Sequence, residues 1–68
     1  MIISSFSIQD IEVGDLLVTE DKTIPFAECG LVLEKNKDNT IKIMWKDGTV
    51  FNHIIKTLHK HEFVLYKG

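Results

Sequence analysis

Short stretches in which apolar and polar residues alternate run through the chain, and turn-forming residues separate them. Turn-forming residues recur about every eight to twelve positions, the spacing of short strands in a small barrel. The clearest alternation lies in Thr40–Trp45, where Ile41, Ile43 and Trp45 would share one face of a strand. We expect this face to point into the hydrophobic core and the intervening residues to face outward.

The same pattern predicts a small all-β domain. The predicted strands are Leu16–Thr19, Leu31–Lys35, Thr40–Trp45, Thr49–His53 and Phe63–Tyr66. Before the last strand, Ile54, Ile55 and Leu58 have the spacing of a single helical or 3₁₀ turn. No segment keeps a 3.6-residue apolar period over several turns, so the expected fold class is all-β, with five strands forming a small barrel.

Turn chemistry supports these boundaries. Lys46-Asp47-Gly48 predicts a hairpin, and Asp-Gly favours a type I′ turn, in which both central residues have positive φ. Asn36-Lys37-Asp38-Asn39 is a second turn, rich in residues that tolerate the left-handed conformation. Residues 20–25 form a predicted polar loop, because Pro25 cannot lie in a central strand.

The N-terminal residues 1–12 allow two interpretations. Phe6, Ile8 and Ile11 could cover one end of the barrel, or the segment could add an edge strand.

Length argues against catalysis. The 68 residues have room for one domain, 1–68. A substrate cavity of about 300–1,000 Å³ would take the space that so small a domain needs for its core. We therefore expect a binding protein that is not an enzyme and holds no cofactor.

Charge argues against nucleic acid as a partner. Eight lysines face ten acidic residues, the formal net charge is −2, and there is no arginine. Nucleic-acid-binding proteins usually carry a basic excess.

A single cysteine, Cys29, rules out an internal disulfide and fits a reducing compartment. No apolar run approaches the roughly 20 residues of a membrane-spanning helix, so we expect a cytoplasmic protein without a membrane partner.

The residues that could hold a metal are His53, His59, His61 and Cys29. A structural zinc site needs four ligands, usually from paired Cys or His residues, and the chain has no such pairs. We predict no metal site and no catalytic residue, and we expect Cys29 to be a small buried side chain.

The aromatic residues are the candidate binding residues. Trp45, Phe51, Tyr66 and Phe26 could form an aromatic surface that binds an extended peptide or a methylated cation. In the alternative interpretation Trp45 and Phe63 lie in the core, and only Tyr66 and Phe26 contact solvent.

Three motifs carry a resemblance to a known family: Val13-Gly14-Asp15-Leu16, then Gly30-Leu31-Val32-Leu33-Glu34, then Ile41-Lys42-Ile43-Met44-Trp45-Lys46-Asp47-Gly48. Followed by His53 and Leu58, this pattern resembles the small SH3-like barrel proteins of tailed bacteriophages. It is also similar to KOW, Tudor and Mib/Herc2-type modules. The resemblance covers about residues 13–66 and implies an SH3-like barrel that acts as a binding module.

The resemblance implies three functions, in order of preference. The first is a phage-type accessory protein that binds another protein, such as a host factor that it modulates, in the host cytoplasm. The second is a structural or decoration subunit of a virion. The third is a KOW-like or Tudor-like nucleic-acid-binding module, which the charge disfavours. The binding face and the oligomeric state stay open at this level.

Overall fold

A computed structural model gives the fold and describes residues 1–19 and 29–67. The strands are β1 (Ile2–Ile3), β2 (Leu16–Val18), β3 (Cys29–Lys35), β4 (Thr40–Trp45), β5 (Val50–Ile54) and β6 (Val64–Tyr66). A 3₁₀ turn spans Ile8–Asp10, and a short helix, α1, spans Ile55–Lys60 between β5 and β6. The predicted loop at 20–25 lies outside the described residues.

All the described strands belong to one antiparallel sheet, in the order β1-β6-β2-β3-β4-β5. The all-β prediction is therefore confirmed, as is the helical turn before the last strand. The predicted number of five strands was wrong, because Ile2–Ile3 pairs with β6 and adds a sixth. Hydrogen bonding also extends β3 back to Cys29, and β5 continues to Ile54.

The core lies on one face of the sheet. Its buried side chains come from β2, β3, β4, β6, α1, the turn before β6 and the N-terminal segment: Phe6, Ile11, Leu17, Val32, Ile41, Ile43, Trp45, Leu58, Phe63 and Leu65. The predicted inward face of β4 is confirmed, since Ile41 and Ile43 are fully buried and Trp45 is 4 % exposed.

The N-terminal segment combines both of the expected roles. Its first residues form the edge strand β1, and Phe6 and Ile11 then cover the core. His59 of α1 holds this cover in place, because its Nε2 lies 2.7 Å from the carbonyl oxygen of Phe6. The two rings also meet edge to face, with centroids 4.9 Å apart.

The β3–β4 and β4–β5 hairpins use the same turn. In the second, the Gly48 N–H donates to the Trp45 carbonyl over 2.8 Å, and Gly48 has a φ of 89°. The first repeats this with Asn39 at a φ of 66°. The predicted type I′ turn was wrong: Gly48 is the only residue of Lys46-Asp47-Gly48 with positive φ. The geometry is a type I turn followed by one left-handed residue.

An aspartate precedes the left-handed residue in each turn and a threonine follows it. The Asp47 carboxylate accepts hydrogen bonds from the backbone N–H and the hydroxyl of Thr49, at 3.0 and 2.7 Å. Asp38 accepts the equivalent pair from Thr40. These bonds favour the ionised carboxylate and lower the pKa of both aspartates.

Candidate functional site

An apolar row crosses the outer face of the sheet, opposite the core. Directly paired residues of an antiparallel ladder project to the same side, so the strand register connects one residue of each strand to the next. The members of this row, in spatial order, are Ile2, Tyr66, Leu16, Leu31, Met44 and Val50. We call these six residues the outer apolar row.

The side chains of the outer apolar row are accessible to solvent. Leu31 is half-buried, and the other five are between 38 % and 59 % exposed. Antiparallel sheets with one face on the core usually place polar residues on the other face. Here one row of residues on the outward face is apolar across all six strands. Such a continuous apolar surface is typical of an interaction site.

The centre of the row is a shallow depression of about 240 Å³. Leu16, Leu31 and Met44 contribute to its lining, together with Cys29 and Lys46. Cys29 is half-buried in this depression, so the expectation of a fully buried cysteine was wrong.

A polar row borders the outer apolar row. Glu34, Lys42 and Asn52 are paired across β3, β4 and β5 on the same face. Lys42 and Glu34 form an ion pair with an N–O distance of 3.0 Å. The outer face is therefore divided into an apolar strip and a charged strip along β4, where Met44 and Lys42 are two residues apart.

The structure separates the aromatic residues that the sequence suggested as binding residues. Trp45 is buried, whereas Phe51 is 55 % exposed on the edge strand β5. Tyr66 belongs to the outer apolar row, on the opposite side of the sheet from Phe51, which pairs with core-facing Ile43. Phe26 lies outside the described residues. The alternative interpretation placed Phe63 in the core, where it is found, but did not foresee the exposure of Phe51.

Trp45 is held in the core by two aromatic neighbours. Its indole N–H donates a hydrogen bond of 3.0 Å to Nε2 of His53. Its ring also lies 5.3 Å from the ring of Phe63, centroid to centroid. Burial lowers the pKa of His53, because the protonated imidazolium loses solvation there. The neutral form is also the one that can accept the indole proton.

The other two histidines, His59 and His61, contact different parts of the fold. His59 contacts the Phe6 carbonyl, and His61 follows the end of α1, where its carbonyl accepts a 2.6 Å hydrogen bond from the Thr19 hydroxyl. Within residues 1–19 and 29–67, no three His, Cys, Asp or Glu side chains are grouped so that they could hold a metal ion.

The chain also has a charged cluster where β6 ends. Lys67 Nζ lies 2.6 Å from Asp15 Oδ2 and 3.5 Å from Glu12, and it donates to the Asp10 carbonyl. The hydrogen bond to Asp15 raises the pKa of Lys67. Asp15 is buried and also accepts a 2.8 Å hydrogen bond from the backbone N–H of Glu12. This cluster joins the Glu12–Asp15 turn to the last strand, which is a structural role.

A wider depression of about 550 Å³ lies beside the N-terminal segment, where Phe6, His59 and Glu62 contribute to its lining. The Nε2 atom of His59 is already bonded to the Phe6 carbonyl there. This depression therefore belongs to the contact that holds the N-terminal cover.

Sequence analysis missed most of the outer apolar row. Alternation marked Ile41, Ile43 and Trp45 as core positions, but the outward Met44 between them is apolar as well. The signal was present in β2, where Leu16 and Val18 flank Leu17. Only the register between strands shows that these outward residues line up across the sheet.

No protein-family model, curated protein or solved structure matches this chain. Within the described residues, no helix has both the length and the apolar composition needed to cross a membrane.

Proposed function

We propose that this chain is a non-enzymatic protein-binding module with an SH3-like barrel fold, and that its outer apolar row is the binding surface. Two features of the sheet support the fold: β6 lies beside β2, and a helical turn precedes β6. The resemblance of the three sequence motifs to small SH3-like barrel proteins supports the same fold. A phage accessory role, with a host protein or a virion component as partner, follows from that resemblance alone.

The outer apolar row is the observation that carries the proposal. At the exposures given above it offers on the order of 400 Å² of apolar surface, within the range of functional patches. Burying it removes apolar surface from water, which favours association. Stable interfaces cover about 800 Å² on each partner, so a partner would also cover the flanks of the row.

The shape of the surface favours a protein partner over a small molecule. The central depression is about 240 Å³, below the roughly 300–1,000 Å³ of small-molecule sites. A broad, shallow and apolar face instead suits another protein, with Lys42 and Glu34 forming one polar rim.

Matched substitutions on β4 test this proposal. Met44 and Lys42 share the outer face of β4, so Met44→Gln and Lys42→Gln place the same side chain on the apolar and the polar strip. Partners are first identified by affinity purification and mass spectrometry, and the purified partner is then titrated. We expect Met44→Gln to weaken binding more than Lys42→Gln, which should change it less than threefold, and Leu16→Gln/Met44→Gln to weaken it at least tenfold.

The double variant must stay folded for the comparison to count, which circular dichroism checks. If it then binds the partner as tightly as the wild type, the outer apolar row is not the binding surface. Stoichiometric presence of the protein in purified virions would instead favour the virion-subunit function.

A further inference from the structure

The strand β5 forms one edge of the sheet among the described residues, and all of its residues except His53 are exposed. Val50, Phe51 and Ile54 are 45 %, 55 % and 50 % exposed. The opposite edge, β1, has only two residues, whereas β5 has five. An edge strand of this length is a template on which another strand can pair.

Hydrogen bonding in the hairpin shows which backbone groups of β5 point away from the sheet. The Trp45 N–H donates to the Thr49 carbonyl, so the backbone carbonyl of Thr49 points toward β4. The backbone N–H and C=O groups of successive residues point to alternate sides of an antiparallel strand, so those of Phe51 and His53 also point toward β4. The backbone groups of Val50, Asn52 and Ile54 therefore point outward, except that the Ile54 carbonyl begins α1 as its N-cap.

Natural edge strands usually carry features that prevent pairing, such as lysine, proline, charge or a bulge. The sequence of β5, Val50-Phe51-Asn52-His53-Ile54, has no lysine, proline or carboxylate. Its pairing with β4 also runs in unbroken register from Val50 to Ile54. By comparison, the neighbouring strand β4 carries Lys42 on its outer face.

We propose that β5 pairs antiparallel with β5 of a second copy of this chain, about a two-fold axis through Asn52. This register places Val50 opposite Ile54 of the second copy, and both are apolar residues of the outer face. On the other face, Phe51 lies opposite His53 of the second copy. Two neutral asparagine side chains meet at the axis, so no like charges face each other.

The sequence of β5 is self-complementary, which favours a second copy of this chain as the strand that pairs with the β5 edge. An isologous pair needs a surface that matches itself after rotation, and the sequence apolar–aromatic–Asn–aromatic–apolar does so. The N–H of Asn52 would donate to the carbonyl of Asn52 of the second copy. The N–H of Ile54 would donate to the carbonyl of Val50 of the second copy. The outer apolar row would then run from Val50 to Ile54 of the second copy without interruption.

The interface is small, so the dimer is weak. Five residues on each side bury less than the roughly 1,200–2,000 Å² of stable interfaces. We therefore expect a dissociation constant between about 10 µM and 1 mM, in fast exchange.

Disulfide cross-linking tests the register. In a Cys29→Ser background, Asn52→Cys would place two sulfurs at the axis, with Cα atoms about 5.5 Å apart, which a disulfide can span. Lys42→Cys is the matched control, because it lies beside Asn52 one strand further in. Each intervening strand adds about 4.8 Å to the separation. The Cα atoms of the two Lys42→Cys residues would therefore be about 15 Å apart, too far for a disulfide. Lys37→Cys, in the exposed β3–β4 turn, measures random collision.

We expect oxidised glutathione to cross-link Asn52→Cys at least tenfold faster than either control. Equal rates for all three variants would overturn the proposed register.

Complementary charges test the pairing without requiring a cross-link. Val50→Lys and Ile54→Glu should each weaken self-association in sedimentation runs up to about 1 mM protein, because each places a charge opposite an apolar side chain. In an equimolar mixture the lysine lies opposite the glutamate, so we expect the mixture to associate more strongly than either variant alone.

A mixture that sediments like the separate variants, or a wild-type protein that is monomeric at about 1 mM, would overturn the proposal. If β5 becomes protected from hydrogen exchange only when a captured partner binds, the occupant is a strand of that partner and not a second copy. The Leu16→Gln/Met44→Gln variant keeps β5 unchanged, so the dimer and the proposed function can fail separately.

Discussion

At the scale of single residues, Gly30 is required because the core leaves no room for a side chain. It lies within β3, directly opposite Trp45 on β4. A Cβ at Gly30 would be 2.5 Å from Ile43 Cγ2 and 2.7 Å from Trp45 Cε3, closer than side-chain atoms normally approach. The sequence places Gly30 directly before the predicted strand Leu31–Lys35, but its role is to let two core side chains pack across β3.

We expect Gly30→Ala to lower the free energy of unfolding by about 1–3 kcal/mol, as overpacking in a dense core does. Urea unfolding followed by tryptophan fluorescence measures the change. Cys29→Ala, one residue earlier on the open outer face, is the control and should cost less. Wild-type stability in Gly30→Ala would show that Trp45 or Ile43 can move aside.

His53 makes the stability of the fold depend on pH. Its pKa lies below the usual 6.5 because burial disfavours the charged form. Between that lowered pKa and about 6.5 the unfolded chain binds more protons than the folded chain, so acidification favours unfolding. The contribution of His53 is fully present above about pH 6.5 and is lost as the pH falls through its folded pKa.

Urea midpoints measured from pH 8 to pH 5 test this dependence. We expect the wild type to lose stability below pH 6.5 more steeply than His53→Gln, which keeps a neutral acceptor for the Trp45 indole. Parallel pH profiles of the two proteins would assign the dependence to other groups.

At the scale of secondary structure elements, β4 organises the core. It pairs with β3 on one side and β5 on the other, and it contributes Ile41, Ile43 and Trp45 to the interior. We expect Trp45→Ala to cost about 3–5 kcal/mol, typical of a truncated buried aromatic. A domain of this size has about 3–5 kcal/mol in total, so the variant should be largely unfolded at room temperature. Far-ultraviolet circular dichroism during a urea titration measures this.

A folded Trp45→Ala protein that loses its partner would contradict this expectation and make Trp45 a binding residue. Lys42→Ala, on the outer face of the same strand, is the control and should change stability by less than about 0.5 kcal/mol.

The end of α1 has a local strain that substitution can relieve. The Phe63 N–H donates to the Leu58 carbonyl and the Glu62 N–H to the His59 carbonyl, both at 3.1 Å, which is a Schellman motif. This motif places Glu62 in the left-handed conformation at a φ of 55°, a position usually taken by glycine.

We therefore expect Glu62→Gly to raise stability by about 0.5–1 kcal/mol, since glycine adopts this conformation without a Cβ clash. The melting temperature should rise by about 2–8 °C. Glu62→Ala retains a Cβ and serves as the control for loss of the carboxylate. A gain in Glu62→Ala equal to that in Glu62→Gly would assign the effect to charge and not to backbone conformation.

At the scale of the whole molecule, the charge predicts that nucleic acid is not a partner. The net charge is −2, there is no arginine, and Lys42 and Lys67 already form ion pairs with acidic residues. We expect no DNA or RNA binding tighter than about 10 µM at physiological salt, well below typical specific affinities. Fluorescence anisotropy with labelled oligonucleotides measures this, and salt-sensitive binding at submicromolar protein would favour the KOW-like alternative.

The sequence by itself determined the all-β class, most strand positions, the inward face of β4 and the helical turn before β6. These features depend on neighbours a few residues apart. Alternation selects the buried face of a strand, and an Asp-Gly or Asp-Asn pair marks a hairpin. Strand ends moved by one or two residues, because pairing with other strands decides where hydrogen bonding begins.

Only the tertiary structure decided which surface is the candidate site. The outer apolar row takes one residue from each of six strands, from Ile2 to Tyr66, and a register shift of one residue would turn a side chain to the other face. Tertiary structure also decided two other features. These are the clash that a side chain at Gly30 would cause and the hydrogen bond between Trp45 and His53. Each depends on the distance between residues that are far apart in sequence or on different strands, and alternation along one strand carries no information about that distance.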